Sequence, residues 1–150
     1  MIKTQELSDL DTRNEIHDLV VYFYREIVFD EFLDYVFEDV AQVDWNSHIP
    51  RLIDYWCGVL LRQPGYDGMM LVAHEEVHGI ESFTLEHFER WFTMWVGCVN
   101  ARWQGPHAEK AKSHAANMAR VMSRRLLGSE WDPAVVSGWG ELETSGVDAV

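Results

Sequence analysis

Apolar residues recur at helical spacing along nearly the whole chain, and convincing period-two alternation is absent. Thr12, with Glu15 three residues later, forms a capping box. Ile16, Leu19, Val20, Phe23 and Ile27 then follow on one helical face. A shorter helix is predicted to carry Leu33, Val36, Phe37 and Val40 inward. Asp44 or Ser47 is placed to cap the next helix, which presents Trp45, His48, Ile49, Leu52, Trp56, Val59 and Leu60 in one stripe. Pro50 fits that helix if regular geometry begins near Ser47, because proline is tolerated in a first turn.

The run Gln63-Pro64-Gly65-Tyr66-Asp67-Gly68 is a turn by composition. Met69 to His78 reads as one to three helical turns, which Gly79 tends to end. Thr84 caps a strong helix with Phe88, Trp91, Trp95 and Val99 inward and Phe92 and Val96 beside them. Gly105-Pro106 breaks that helix. An alanine-rich one then runs from about His107 to Leu127, where Gly128 stops it. The expected fold class is all-α, five or six helices without a sheet. Residues 129–150 mix glycine, serine and acid with Trp131 and Trp139, and read as a C-terminal tail, ordered only where those indoles dock.

A length of 150 residues suits one domain with a real core, and 47% hydrophobic against 25% charged residues is too apolar for disorder. Twelve basic residues against 25 acidic ones leave a net charge of −13. Such a surface repels phosphate backbones and anionic lipid, so neither nucleic acid nor a membrane is an expected partner. No run approaches the roughly 18 apolar residues of a membrane span. Residues 1–12 lack an apolar signal region, so a cytoplasmic location is expected. Cys57 and Cys98 are too few for a disulfide scaffold and sit in apolar helical stretches, as buried thiols do.

Two constellations carry chemistry. His74-Glu75-Glu76-Val77-His78 matches H-E-x-x-H, which on a helix puts two imidazoles on one face for zinc, with Glu75 as general base. A third ligand is needed, and nothing singles out Glu81, Glu86 or Glu89 for that role. The other constellation is spread along the chain. Tyr24 lies beside inward Phe23, His48 between Trp45 and Leu52, and Trp91 between Phe88 and Trp95. A buried phenol, imidazole and indole N–H each need a partner, and a polar diatomic ligand on a metal would serve all three. Seven Trp, seven Phe and five Tyr either fill the core or line a pocket for a large flat ligand. A helical interaction module without cofactor is the bland alternative.

In this second set the chain resembles the group III truncated haemoglobins. Phe23-Tyr24-Arg25-Glu26-Ile27-Val28 is similar to the family's F-Y-x-x-V segment. Asp44-Trp45-Asn46-Ser47-His48 with Tyr55-Trp56 is similar to its distal helix. Tyr66-Asp67-Gly68 followed by His74 resembles the Y-x-G turn before the haem-ligating histidine, and the segment from Thr84 to Trp91 the helix with the distal tryptophan. The match spans residues 14 to 127; no piece is diagnostic, but the ordered set is specific.

The resemblance implies a truncated two-over-two globin domain over residues 1–128 that encloses haem b (iron protoporphyrin IX). His74 would be the proximal iron ligand. Tyr24, His48 and Trp91 would surround the distal ligand, and Phe23, Phe37, Trp56 and Trp91 would contact the porphyrin. The implied activity is reversible binding of dioxygen or another diatomic, for transport, storage or redox chemistry on nitric oxide or peroxide. An oxygen-binding protein is expected rather than an enzyme, and any catalytic cycle would draw on an external reductase. Two departures stand out: Pro50 follows the distal His48 closely, and residues 74–83 lack the prolines common in relatives.

Overall fold

A computed structural model describes residues 6–37, 44–65, 74, 76–79 and 83–140. Among these there is no strand, and an isolated bridge between Ser8 and Trp103 is the one β-type pairing. Five helices are defined: α1 (Arg13–Ile27), α2 (Glu31–Tyr35), α3 (Trp45–Leu61), α4 (Leu85–Arg102) and α5 (Pro106–Leu127), with a 3₁₀ turn at Pro133–Val135. Residues 74 and 76–79 are also helical, so Gly79 still belongs to its turn rather than ending it. Tyr66-Asp67-Gly68, Val40, Glu75 and Glu81 lie outside the described residues.

The first three helices begin where the local sequence supplies a cap. The Thr12 hydroxyl accepts from the Glu15 amide, and Ile16, Leu19, Val20, Phe23 and Ile27 are buried as the spacing predicts. Asp30 accepts from Leu33, and Asp44 from Asn46. That last bond starts α3 at Trp45, two residues ahead of the start that suited Pro50. Pro50 therefore lies in the second turn, where its missing N–H leaves the Asn46 carbonyl without its helical partner. The most buried positions of α3 are Ile53, Trp56, Cys57 and Leu60. Ile53 and Cys57 fall one residue beyond members of the expected stripe, because the stripe's N-terminal half faces a cavity.

The helices form two layered pairs, α1 with α3 and α4 with α5, with α1 also packed on α4 and α3 on α5. Small side chains make the close approach of α4 and α5 possible. Ala108, Ala111, Ala115, Ala116 and Ala119 are all buried, and the Trp95 indole N–H donates to the Ala111 carbonyl at 3.1 Å. The start of α5 is capped from far away in sequence: Asp9 accepts from the amides of His107 (3.0 Å) and Ala108 (2.7 Å). Gly105, with φ 129°, lets the chain pass; a Cβ there would stand 2.5 Å from Asp9 Cγ. Gly128 closes α5 in the left-handed conformation, as its position predicts.

Past Gly128 the chain folds back on α4. Trp131 and Trp139 are buried, with their rings edge-on to Phe92 at 5.5 and 5.1 Å. The Trp139 indole N–H donates to the Val136 carbonyl at 2.9 Å. Both cysteines are free and buried, and no helix among the described residues is long and apolar enough to cross a membrane.

Candidate functional site

A cavity of about 360 Å³ opens between α1, α3, α4 and the helical segment at His74. All seven site residues picked from the sequence line it: Phe23, Tyr24, Phe37, His48, Trp56, His74 and Trp91. They come from α1, the residues just after α2, α3, the short segment and α4, so only the tertiary fold brings them together. Its other walls include Leu33, Val36, Leu52, Phe88, Met118 and Met122, and are predominantly apolar.

One rim of the cavity is an aromatic cluster built from α1, α2 and α3. Tyr24 meets Phe23 edge-on at 4.9 Å, Phe37 at 5.7 Å and His48 at 5.5 Å. Phe37 stacks on Trp45 at 5.6 Å, and Trp45 meets His48 at the same separation. Edge-to-face contacts place positive ring edges against negative faces, which holds the Tyr24 ring without using its hydroxyl.

His48 is the polar group that this packing leaves unsettled. Its Nε2 is buried and has no hydrogen-bond partner among the described residues. Burial, with His74 and Arg51 adding to it, lowers the imidazolium to about 4, so the ring is neutral near pH 7. Burial likewise pushes the Tyr24 hydroxyl above its ordinary range, keeping it protonated and able to donate. Trp91, half-buried on α4, adds an indole N–H to the same cavity. The site thus gathers neutral donors in an apolar enclosure, a setting that favours a small polar ligand and disfavours a free ion.

His74 and His78 part company. His74 lines the cavity, whereas His78 does not; its Nδ1 accepts from the Phe83 amide at 2.9 Å while its ring lies nearly parallel to that of Phe83. Among the described residues, the group spaced to share a metal ion is Asp9, Asp11 and His107, and neither His74 nor His78 belongs to it. Asp9 is already committed to capping α5.

Sequence reasoning missed five cavity residues with polar or soft atoms: Tyr55, Glu76, His87, Met118 and Met122. Tyr55 was visible only as part of Tyr55-Trp56. His87 is both a helix cap and a wall residue, its Nδ1 accepting from the Thr84 amide at 2.9 Å and its ring stacked on Phe32 at 4.3 Å. Met118, on the alanine-rich helix, carried no signal beyond helical spacing.

No model of a known protein family matches the chain. A curated relative, group 3 truncated hemoglobin ctb from Campylobacter jejuni, is 25% identical over 91 residues, covering 59% of this chain and 69% of that one. Among solved structures, the crystal structure of group III truncated hemoglobin from Campylobacter jejuni superposes with a TM-score of 0.68 at 22% identity, over 83% of this chain and 95% of that one. The protein has the truncated globin fold, and its resemblance in sequence is to the truncated haemoglobins of group III.

Proposed function

We propose that this protein binds haem b in the cavity and ligates dioxygen or another diatomic molecule there, with His74 as the iron ligand. The observation that carries the reading is the buried Nε2 of His48, unpartnered among the described residues, on a side chain that lines an apolar cavity together with His74, Tyr24 and Trp91. A buried polar atom without a partner destabilises the fold by about 1–3 kcal/mol unless a ligand satisfies it. The residues present suit a flat apolar group with a metal at its centre: aromatic walls, one histidine on a short helical segment, and donors on α1, α3 and α4.

Haem supplies a ferrous iron that binds a neutral diatomic molecule and polarises it. The remaining work belongs to the chain. Phe23, Phe37 and Trp56 hold the macrocycle by apolar contact and exclude water, which strengthens every hydrogen bond inside. His74 offers a neutral imidazole nitrogen. Tyr24 donates its hydroxyl, held in place by the rings of Phe23, Phe37 and His48. His48 and Trp91 complete a donor set on the same ligand. The test is an absorption spectrum with iron and zinc quantified on one sample, repeated for His74→Ala. An intense Soret band with about one iron per chain, lost in the variant while far-UV circular dichroism persists, is the expected result. A colourless protein that takes up no added haemin overturns the reading.

A zinc hydrolase built on His74, Glu75 and His78 is not favoured. Two imidazoles must converge on one ion, and His78 does not line the cavity that His74 lines; its Nδ1 is engaged by the Phe83 amide.

A further inference from the structure

The cavity has a second pole, away from the distal donors, at Tyr55. Its hydroxyl lies 2.6 Å from Nε2 of His114 and 3.0 Å from the sulfur of Met118. Tyr55 is on α3; His114 and Met118 are one turn apart on α5. Tyr55 and Met118 line the cavity, while His114 stands behind Tyr55 and is half-buried toward the surface. None of the roles in haem binding uses this pair.

A row of indoles leads to it from the distal side. Trp91 and Trp95 lie nearly parallel, 6.2 Å apart at 7°. Trp95 stacks on Trp56 at 4.6 Å and 23°. Trp56 meets Tyr55 edge-on at 5.5 Å and His114 at the same distance. Trp95 and Trp56 are 1% and 3% exposed, so the row runs through dry protein. Indole and phenol are the side chains most readily oxidised by one electron after thiols, and ring contacts this short allow electrons to hop between them. A phenol gives up its electron far more easily when a base is in place for its proton. His114, whose charged form is disfavoured by burial, presents a neutral ring.

We propose that Tyr55 and His114 form a redox relay, in which Tyr55 is the oxidisable end of the indole row and His114 its proton acceptor. This rests on the haem reading, since the electron hole originates in the cavity from hydrogen peroxide. In one turn Tyr55 sends an electron inward through Trp56 and Trp95. Its O–H bond breaks as the proton forms an N–H bond on His114, leaving a neutral phenoxyl and an imidazolium. A one-electron reductant of the phenol or ascorbate class then returns an electron to Tyr55 and releases its own proton to solvent. The imidazolium proton goes back to the Tyr55 oxygen. Two turns deliver the two electrons, and two reductant molecules the two protons, that convert one hydrogen peroxide into two waters. Tyr55 thereby passes the hole to the surface side and spares the distal residues from oxidation.

Two arms test this, and one does not need haem. In the first, a ruthenium polypyridyl photo-oxidant with persulfate acts on the full chain as purified, and a nitroso spin trap is mapped by peptide mass. The adduct is expected on Tyr55. It should fall on the order of a hundredfold when the base is removed in His114→Leu, and stay unchanged in Tyr35→Phe, which alters an exposed phenol that is not part of the row. Should His114→Leu fail to fold by circular dichroism, His114→Gln keeps a polar side chain without a base and serves the same comparison. An adduct on another tyrosine, or a yield indifferent to His114, overturns the relay. In the second arm the haem-loaded protein is mixed with hydrogen peroxide and freeze-quenched for electron paramagnetic resonance. A tyrosyl signal that disappears in Tyr55→Phe supports the relay; a Soret band without such a signal overturns it. Absence of any Soret band overturns the haem reading instead, and the photo-oxidation arm then decides the relay alone.

Discussion

The rings of Tyr24 and His48, contributed by α1 and α3, meet edge to face with centroids 5.5 Å apart and planes at 87°. Both rings also pack against Phe37, which lies 5.7 Å from the first and 6.1 Å from the second. The two polar tips are therefore held by apolar contacts and not by each other. That arrangement keeps both available to a third molecule.

Tyr24→Phe keeps the ring and removes the donor. A hydrogen bond to a charged acceptor contributes on the order of 1.5–3 kcal/mol, so dioxygen release should quicken by about one to two powers of ten. Stopped-flow displacement measures it. An unchanged off-rate would place the hydroxyl away from the ligand, or show that His48 and Trp91 replace it.

Removing the remote cap of α5 should weaken the whole fold. Asp9→Ala leaves two helix-terminal amides without acceptors and is expected to lower stability by about 1–2 kcal/mol, read from urea unfolding at constant m. Gly105→Ala combines a φ of 129° with a Cβ 2.5 Å from Asp9 Cγ and should cost at least as much. Asp9→Ala in the Gly105→Ala background should cost less than it does alone, because the two changes disturb one contact.

The thiols report burial. Desolvation, helped by Glu26 and opposed by Arg102, pushes Cys98 up to about 12, and desolvation also raises Cys57. Neither should react appreciably with iodoacetamide at pH 8 until urea is added. The folded chain keeps the Cys98 proton over a range in which the unfolded chain, near its ordinary 9.0, has released it. Stability from this group is therefore complete below pH 9 and declines as pH rises from 9 toward 12. A Cys98→Ala variant should show a flatter alkaline limb; an identical limb would assign the decline to other groups.

Truncation after Gly128 tests the packing of the C-terminal indoles. It removes Trp131 and Trp139 from Phe92, which is fully buried in the intact chain. Loss of one buried tryptophan typically costs about 3–5 kcal/mol, so Trp139→Ala should lower the melting temperature sharply and the truncation more so. A truncated chain melting with the full one would show that the indoles contribute nothing.

Much of the fold was legible because local rules and burial agree. The five inward positions of α1 follow from spacing alone, since a helix has one face to bury and these are its large apolar residues. Thr12, Thr84 and Gly128 marked helix ends for an equally local reason: each satisfies terminal backbone groups within its own segment. The start of α3 stayed open between Asp44 and Ser47, because Pro50 argued for the later turn. The Asp44 carboxylate and the packing of Trp45 outweighed that argument.

The family resemblance pointed to His74 as the iron ligand and to Phe23, Phe37 and Trp56 as pocket walls, whereas the sequence by itself determined the helical class, the positions of most helices and the three polar candidates Tyr24, His48 and Trp91. It did so because periodicity, caps and polar residues on apolar faces are properties of short stretches of chain. Tertiary structure alone decided that those seven share one cavity, that His74 faces it and His78 does not, and that Asp9 caps a helix beginning 97 residues later. It alone brought Tyr55 to His114 and aligned Trp91, Trp95 and Trp56 behind them. These are contacts between segments distant in sequence, and their geometry follows from how whole helices pack, which no local pattern encodes.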